Sequence, residues 1–448
     1  MNRKQIVFAL TICLLNSCYQ ESRLLVNADF QAIIEDGNYT APVKVKLTNN
    51  STGADFYKWT FEGGTPSTSS DKTPSDITYS QIGTYKIVLE AWNGYERGEK
   101  EFTFTVDSAV TVSFDAEFRI NDFAPAKVRI INRTEGASDF YWTFEGGIPE
   151  TSADRNPGDV LFNKPGVHVI SLVADNGREK FSLSKTIQLQ DTIAVDFDVE
   201  ASFDDFDYEI PFTANLVNKT TSGLTYEWTS TGGEITDKNA KNTSIHINTP
   251  GTYTVTLKGG NGNETKITSK KVTVKGNSNL YRMVNVKFGI KSAVDIVGSF
   301  YSLKNREIVT QNNVTESNGE NINLVFFGIN SSFEGCHFTS PDLARDAGFK
   351  LIPNATKTYF VNNIETSGLS FTRDNFDTMT NDSLLKSLDI KSASNTTSSF
   401  SAEQGFRIVL FEAADGRKGA IKVKAFVLEQ INSSYILTDI KFQKTKAE

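Results

Sequence analysis

Residues 41–64 read APVKVKLTNNSTGADFYKWTFEGG, and residues 124–147 read APAKVRIINRTEGASDFYWTFEGG. A more distant third copy, residues 210–233, reads IPFTANLVNKTTSGLTYEWTSTGG. Each is followed by a glycine-led segment: GTYKIVLEAWNG from Gly83, GVHVISLVADNG from Gly166 and GTYTVTLKGGNG from Gly251. Trp59, Trp142 and Trp228 lie 83 and then 86 residues apart, and the intervals from tryptophan to glycine are 24, 24 and 23. Two landmarks held in register three times mark an internal repeat, which takes precedence over any local reading. In the third copy Tyr253, Val255 and Leu257 alternate with Thr254, Thr256 and Lys258, a period of two that sends one set inward and the other to water.

Short alternating strands separated by turn residues predict a β-sandwich for each copy. A central-strand tryptophan serves as its core plug. The Gly-Gly pairs at 63–64, 146–147 and 232–233 supply the positive φ that a sharp turn after that strand requires. Tyr57-Lys58-Trp59-Thr60-Phe61 and Tyr141-Trp142-Thr143-Phe144 resemble the aromatic-x-Trp-x-Phe strand of the PKD domain. The familiar Phe-Gly-Asp-Gly ending is replaced here by Phe-Glu-Gly-Gly, and the third copy lacks the Phe. The resemblance implies three tandem Ig-like (PKD-type) β-sandwiches at 28–107, 110–190 and 193–275, modules that act as spacers or contact surfaces rather than enzymes.

At the N-terminus Arg3 and Lys4 precede an apolar run from Ile6 to Leu15, too short to span a bilayer and suited to a secretory signal. Leu14-Leu15-Asn16-Ser17-Cys18 resembles the lipobox of bacterial lipoproteins. It implies a signal peptide at 1–17, acylation of Cys18, and a lipidated tether at 18–27; a signal peptide that merely contains a cysteine is the alternative. Two or more acyl chains make a stable anchor where one is marginal. With Cys13 in the signal, Cys336 is the remaining thiol, so no internal disulfide can form. The net charge of −8, near −10 once the signal is removed, carries no electrostatic footprint for nucleic acid.

From about Leu280 the pattern changes, and 280–448 reads as a β-rich α+β domain. Strands are expected at Met283–Ile290, Val294–Tyr301 and Asn323–Ile329, a helix within 372–390, and a terminal meander around the Asp415-Gly416 turn. Gly405-Phe406 and the run from Asp415 to Val423 resemble the C-terminal domains of Bacteroidota lipoproteins encoded beside SusC/SusD-type uptake systems. Asp107-Ser108-Ala109 and Asp191-Thr192-Ile193, in the linkers, resemble the O-glycosylation consensus of that phylum, which implies modification at Ser108 and Thr192.

Catalytic chemistry finds little footing. His168 aligns with core-facing Tyr85 and Tyr253, and His246 reads as surface. Cys336 and His337 are strand neighbours on opposite faces, so the thiol has no adjacent base. A glycosidase carboxylate pair has no fixed spacing and stays open. Residues 196–209, DFDVEASFDDFDYE, hold seven carboxylates, weighed as a calcium loop and read as a solvated acidic loop. No metal and no cofactor is expected. The candidate contact residues are aromatic: Trp92 and Tyr95 in the first sandwich, Tyr301, Phe333 and Tyr359 in the last domain, with core packing as the competing reading of each. The expected whole is a non-enzymatic lipoprotein of the outer membrane, facing the exterior, that captures a glycan or peptide or serves a SusC/SusD-type TonB-dependent transporter. A structural or adhesive protein that works through protein contacts is the alternative, a hydrolase a third reading, and a periplasmic location is also open.

Overall fold

The computed structural model describes residues 24–395, 398–430 and 432–446. Strands make up 48% of the chain and helices 7%, and the sheets are antiparallel, so the fold is mainly β. The signal region and Cys18 lie outside the described residues. Two compact units form: one holds the described residues through Ala194 with Thr221–Leu224 and Gly260–Lys266, the other Val195–Thr220, Thr225–Gly259 and the chain from Ile267 onward.

In the first unit each sandwich packs two sheets. One sheet of the first copy is Phe30–Ile34, Val43–Asn49 and Ile77–Tyr79; the other is Thr68–Ser69, Phe56–Phe61, Gly83–Trp92 and Arg97–Val106. The second copy repeats this with Asp139–Phe144, Gly166–Asp175 and Lys180–Leu189 in its tryptophan-bearing sheet. The same core recurs in all three copies. Trp59, Trp142 and Trp228 are fully buried. Each indole Nε1 donates to a carbonyl twelve residues on: Asp71 and Asp154 at 3.0 Å, Ala240 at 2.9 Å. Each indole also meets a phenylalanine edge-on, Phe30, Phe114 or Phe197, at 5.0–5.2 Å between centroids. A lysine recurring every 85 residues, Lys100, Lys185 or Lys270, lies over that phenylalanine at 5.3–5.8 Å. The indole N–H is thus paired, as a buried donor must be.

His168 is buried as expected, and its Nε2 lies 2.8 Å from the Lys164 carbonyl. Tyr85 and Tyr253 make the equivalent contact to the carbonyl four residues back, Gln81 at 2.9 Å and Thr249 at 2.7 Å. The ring therefore ties down the turn before its strand in every copy. Gly63 and Gly146 both sit at φ +73°, where a Cβ on Gly63 would come within 2.3 Å of the Tyr85 ring.

In the second unit the third sandwich stacks the sheet Phe197–Ala201, Phe212–Asn218, Thr243–Ile247, Glu234–Ile235 on a second sheet that carries Thr225–Ser230. The C-terminal domain has a five-stranded sheet, ordered Leu280–Gly289, Tyr435–Gln443, Lys418–Val427, Arg407–Glu412, Tyr359–Val361. A four-stranded sheet, Glu307–Val309, Phe300–Ser302, Ile322–Phe327, His337–Thr339, packs beside it. Two expectations need correction. The segment 294–301 is not one strand: Ile296 and Val297 both donate to the Ala293 carbonyl, which winds it into a turn, and pairing begins at Phe300. The helix within 372–390 is two short helices, Arg373–Thr378 and Ser383–Lys386. Thr372 caps the first through a capping box with Asn375, and the Lys441 ammonium takes the Phe376 and Met379 carbonyls at its end.

Candidate functional site

The second unit contains a cleft of about 500 Å³ where the acidic loop of the third sandwich faces the C-terminal domain. Its first wall begins with the short helix Phe203–Asp205. The Asp205 carboxylate accepts from the Ser202 hydroxyl at 2.5 Å and the Thr213 amide at 3.1 Å, which closes the loop and leaves Asp204 pointing outward. Arg306 reaches this loop from the turn between Phe300–Ser302 and Glu307–Val309. Its guanidinium lies 3.5 Å from the centroid of Phe203, 4.7 Å from Tyr281 and 5.2 Å from Phe206. It donates to Asp204 Oδ1 at 2.9 Å and to the Phe203 carbonyl. A planar cation gripped by aromatic faces is the arrangement arginine serves better than lysine. The Arg306 backbone sits at φ +53°, unusual for a residue with a side chain.

The second wall is built on Glu209, which is 5% exposed. Burial pushes its carboxyl up, but the Ser278 hydroxyl and amide at 2.7 and 2.8 Å and the Lys444 ammonium at 3.1 Å outweigh it and hold it below the ordinary glutamate value. Lys444 also bridges to Asp207 at 2.7 Å, and Arg282 approaches Glu209 at 3.4 Å. Asn279 fixes the adjacent turn by donating to Asp382 at 2.8 Å. Between the walls lie Tyr281, Pro211 and Leu303, with Lys304, Glu320, Asn321 and Arg417 at the rim. The side chains of Lys304, Glu320 and Asn321 make no hydrogen bond or ion pair among the described residues. The cleft is of ligand size and offers amide, ammonium and carboxylate groups above a small apolar floor.

The reading of 196–209 as a solvated loop is corrected by this geometry. Asp196 and Asp198 pair with Lys270 at 3.2 and 2.9 Å, Asp198 also pairs with Lys219, and Asp204, Asp207 and Glu209 hold the C-terminal domain. Tyr301 and Phe333 are also corrected as contact residues. They are 1% and 3% exposed and belong to the C-terminal core, so no ligand ring reaches them. Tyr359 is half-buried between the Lys357 and Lys391 ammonium groups. Trp92 and Tyr95 sit at one end of the first sandwich, Trp92 half-buried and Tyr95 exposed. Ser108 is exposed in its linker, whereas Thr192 is half-buried beside fully buried Ile193. Cys336 is fully buried, which pushes its thiol up to about 12, and it faces the core while the His337 ring lies against Phe327. It is no nucleophile in this setting. Among the described residues no cluster of His, Cys, Asp and Glu suits a metal ion, and no helix is long and apolar enough to cross a membrane. No local sequence signal marks Arg306 and Lys444, because their partners lie 102 and more than 200 residues away; the acidic run is the half of the arrangement that is visible in the sequence.

Residues 205–274 match the PKD domain family, which places the match on the third copy, the one with the most divergent strand. No curated protein matches the chain. Among solved structures, a DUF4466 family protein from Parabacteroides merdae aligns over 56% of this chain and 99% of its own at 13% identity, with a TM-score of 0.28. Fibronectin-type domains 1–3 of chicken CNTN1 align over 56% and 97% at 10% identity, TM-score 0.22. The three-domain I-band fragment of titin aligns over 56% and 98% at 11% identity, TM-score 0.30. PKD domains are typically non-catalytic.

Proposed function

We propose that this chain is a lipid-anchored protein of the bacterial outer membrane, held by acylated Cys18 and facing the exterior, that binds a polar ligand in the cleft between the third sandwich and the C-terminal domain. The observation that carries the reading is the cleft itself. One wall is braced by the buried Arg306 guanidinium and the other by the buried Glu209 carboxylate, while Lys304, Glu320 and Asn321 at its rim are left for a guest. A hydroxyl-rich glycan or a short peptide matches that lining, since each presents alternating donors and acceptors with apolar faces between them. Delivery to a SusC/SusD-type TonB-dependent transporter follows from the lipoprotein reading, and Ser108, exposed in its linker, is the better placed of the two candidate O-glycosylation sites.

The test is a detergent pull-down of the native protein followed by calorimetric titration with the glycans or peptides that the co-purifying transporter imports. Binding that is lost in Lys304→Ala/Asn321→Ala supports the cleft; binding unaffected by that pair sinks it. The second reading, an adhesive or structural protein without a small ligand, is favoured by one observation: most charged groups around the cleft already pair with one another. It predicts partner proteins in the pull-down and no saturable heat from any small ligand.

A further inference from the structure

We infer that the N-terminal end of the first sandwich is a membrane foot, seated in the headgroup region of the bilayer to which Cys18 is anchored. The inference rests on the lipoprotein reading and extends it to a defined surface. Leu24 and Leu25 are 70% and 77% exposed, Phe56 is 56% and Tyr95 70% exposed. They share one end of the domain. Asn93 at the turn donates to the Leu24 carbonyl at 3.0 Å and to the Gly53 carbonyl at 2.8 Å, and the Val26 amide donates to Glu96 at 3.1 Å. Phe56 and Trp92 are register partners whose rings stack at 5.9 Å, and the Arg97 guanidinium covers Trp92 at 5.2 Å.

Comparison of the copies shows that this end is specialised. The turn reads Asn93-Gly94-Tyr95-Glu96 in the first, Asn176-Gly177-Arg178-Glu179 in the second and Asn261-Gly262-Asn263-Glu264 in the third. In the later copies the turn docks on the preceding sandwich. Arg178 lies 4.2 Å from the Tyr39 ring and donates to the Thr105 carbonyl at 3.0 Å; Asn263 donates to Asn121 Oδ1 at 2.8 Å and the Phe123 carbonyl at 2.6 Å. The same element in the first copy has no sandwich before it among the described residues. There its polar contact residue is replaced by Tyr95, and the positions of Asp139 and Asp175 in the second copy are held by Phe56 and Trp92. Aromatic side chains with a flanking arginine are the composition that settles at a membrane interface, the rings at headgroup level and the cation toward phosphate. Chain length agrees. Leu24 is six positions after Cys18, so the tether reaches about 20 Å at most, and the foot cannot leave the vicinity of the anchoring leaflet.

The test uses the full acylated chain in nanodiscs containing brominated phospholipid. Three of the four tryptophans are core-buried, so Trp92 alone can meet the bromine. Quenching of up to about a quarter of the emission is expected for equally emitting rings, with none in Trp92→Phe. Phe56→Asp/Tyr95→Arg, which installs the second copy's own residues, should abolish most of that quenching while the protein stays in the disc. An incorporated chain whose emission is indifferent to bromine overturns the foot. A chain that never enters nanodiscs overturns the anchor reading instead. In that event the protein is mixed with brominated liposomes, where quenching upholds the surface and its absence overturns it too.

Discussion

Replacing Arg306 by alanine should detach the Phe203–Glu209 loop from the C-terminal domain without unfolding either. The guanidinium is almost wholly buried and lies 3.5 Å from one ring and 4.7 Å from another, a desolvated cation–π contact on the order of 2 kcal/mol. Its pairing with Asp204 adds about 1 kcal/mol at most, because that carboxylate is three-quarters exposed and rehydrates when the partner goes. Alanine at φ +53° is as strained as arginine there, so the backbone contribution cancels. The sum, about 3 kcal/mol, corresponds to roughly a hundredfold rise in local opening. Hydrogen exchange reads it directly at the loop amides: Ser202, bonded to the Thr213 carbonyl at 2.9 Å, Asp205 and Tyr208. Those amides should exchange about a hundredfold faster in Arg306→Ala, while amides beside Trp142 do not change. Arg306→Lys keeps the charge and loses the plane, so it should recover less than half of the protection. Unchanged protection in Arg306→Ala, or full protection in Arg306→Lys, would refute the reasoning.

Three further outcomes are expected. Trp142→Ala removes a fully buried indole and orphans the Asp154 carbonyl, so denaturant unfolding of the second sandwich should lose about 3–5 kcal/mol, measured by exchange in its own strands. Cys336, buried with its thiol pushed up to about 12, should resist iodoacetamide at pH 8 in the native chain and react fully in guanidinium; native labelling would contradict its burial. Glu209 has a carboxyl held below its unfolded value, so its contribution is fully present above the ordinary glutamate range and is lost as pH falls through the lowered folded value. Protection of the Ser278 amide should therefore decline as pH drops through and below that range, and Glu209→Gln should flatten the decline.

The legible parts of this fold are those whose physics is local. Trp59, Trp142 and Trp228 announce three cores because one large apolar residue per sandwich must be buried, and the glycines after them mark turns that a side chain would block. The inward set of each long strand follows from strict alternation, and Ile87, Leu89, Ile170 and Leu172 are all buried as that pattern requires. Alternation fails where a strand is covered on both faces. Phe300, Tyr301 and Ser302 are all buried, which is why Tyr301 reads as a possible contact in sequence and is a core residue in space. Residues 294–301 mislead for a different reason: the apolar residues Val294, Ile296 and Val297 fit a strand pattern, yet they lie in a turn whose Ile296 is exposed.

By itself, then, the amino-acid order determined three sandwiches in series, their tryptophan cores and a final domain of different character, because each of those depends on spacing and polarity along a few tens of residues. Only tertiary structure decided what the acidic run 196–209 is for. Its carboxylates meet Lys270, Arg306 and Lys444 from 72 to more than 200 residues away, and complementary charges carry no mark of which partner they will find. The same is true of the first sandwich's end: Leu24, Phe56, Trp92 and Tyr95 are scattered in the sequence and become one surface when register sets Phe56 beside Trp92 and Asn93, in the turn that carries Tyr95, bonds the Leu24 carbonyl.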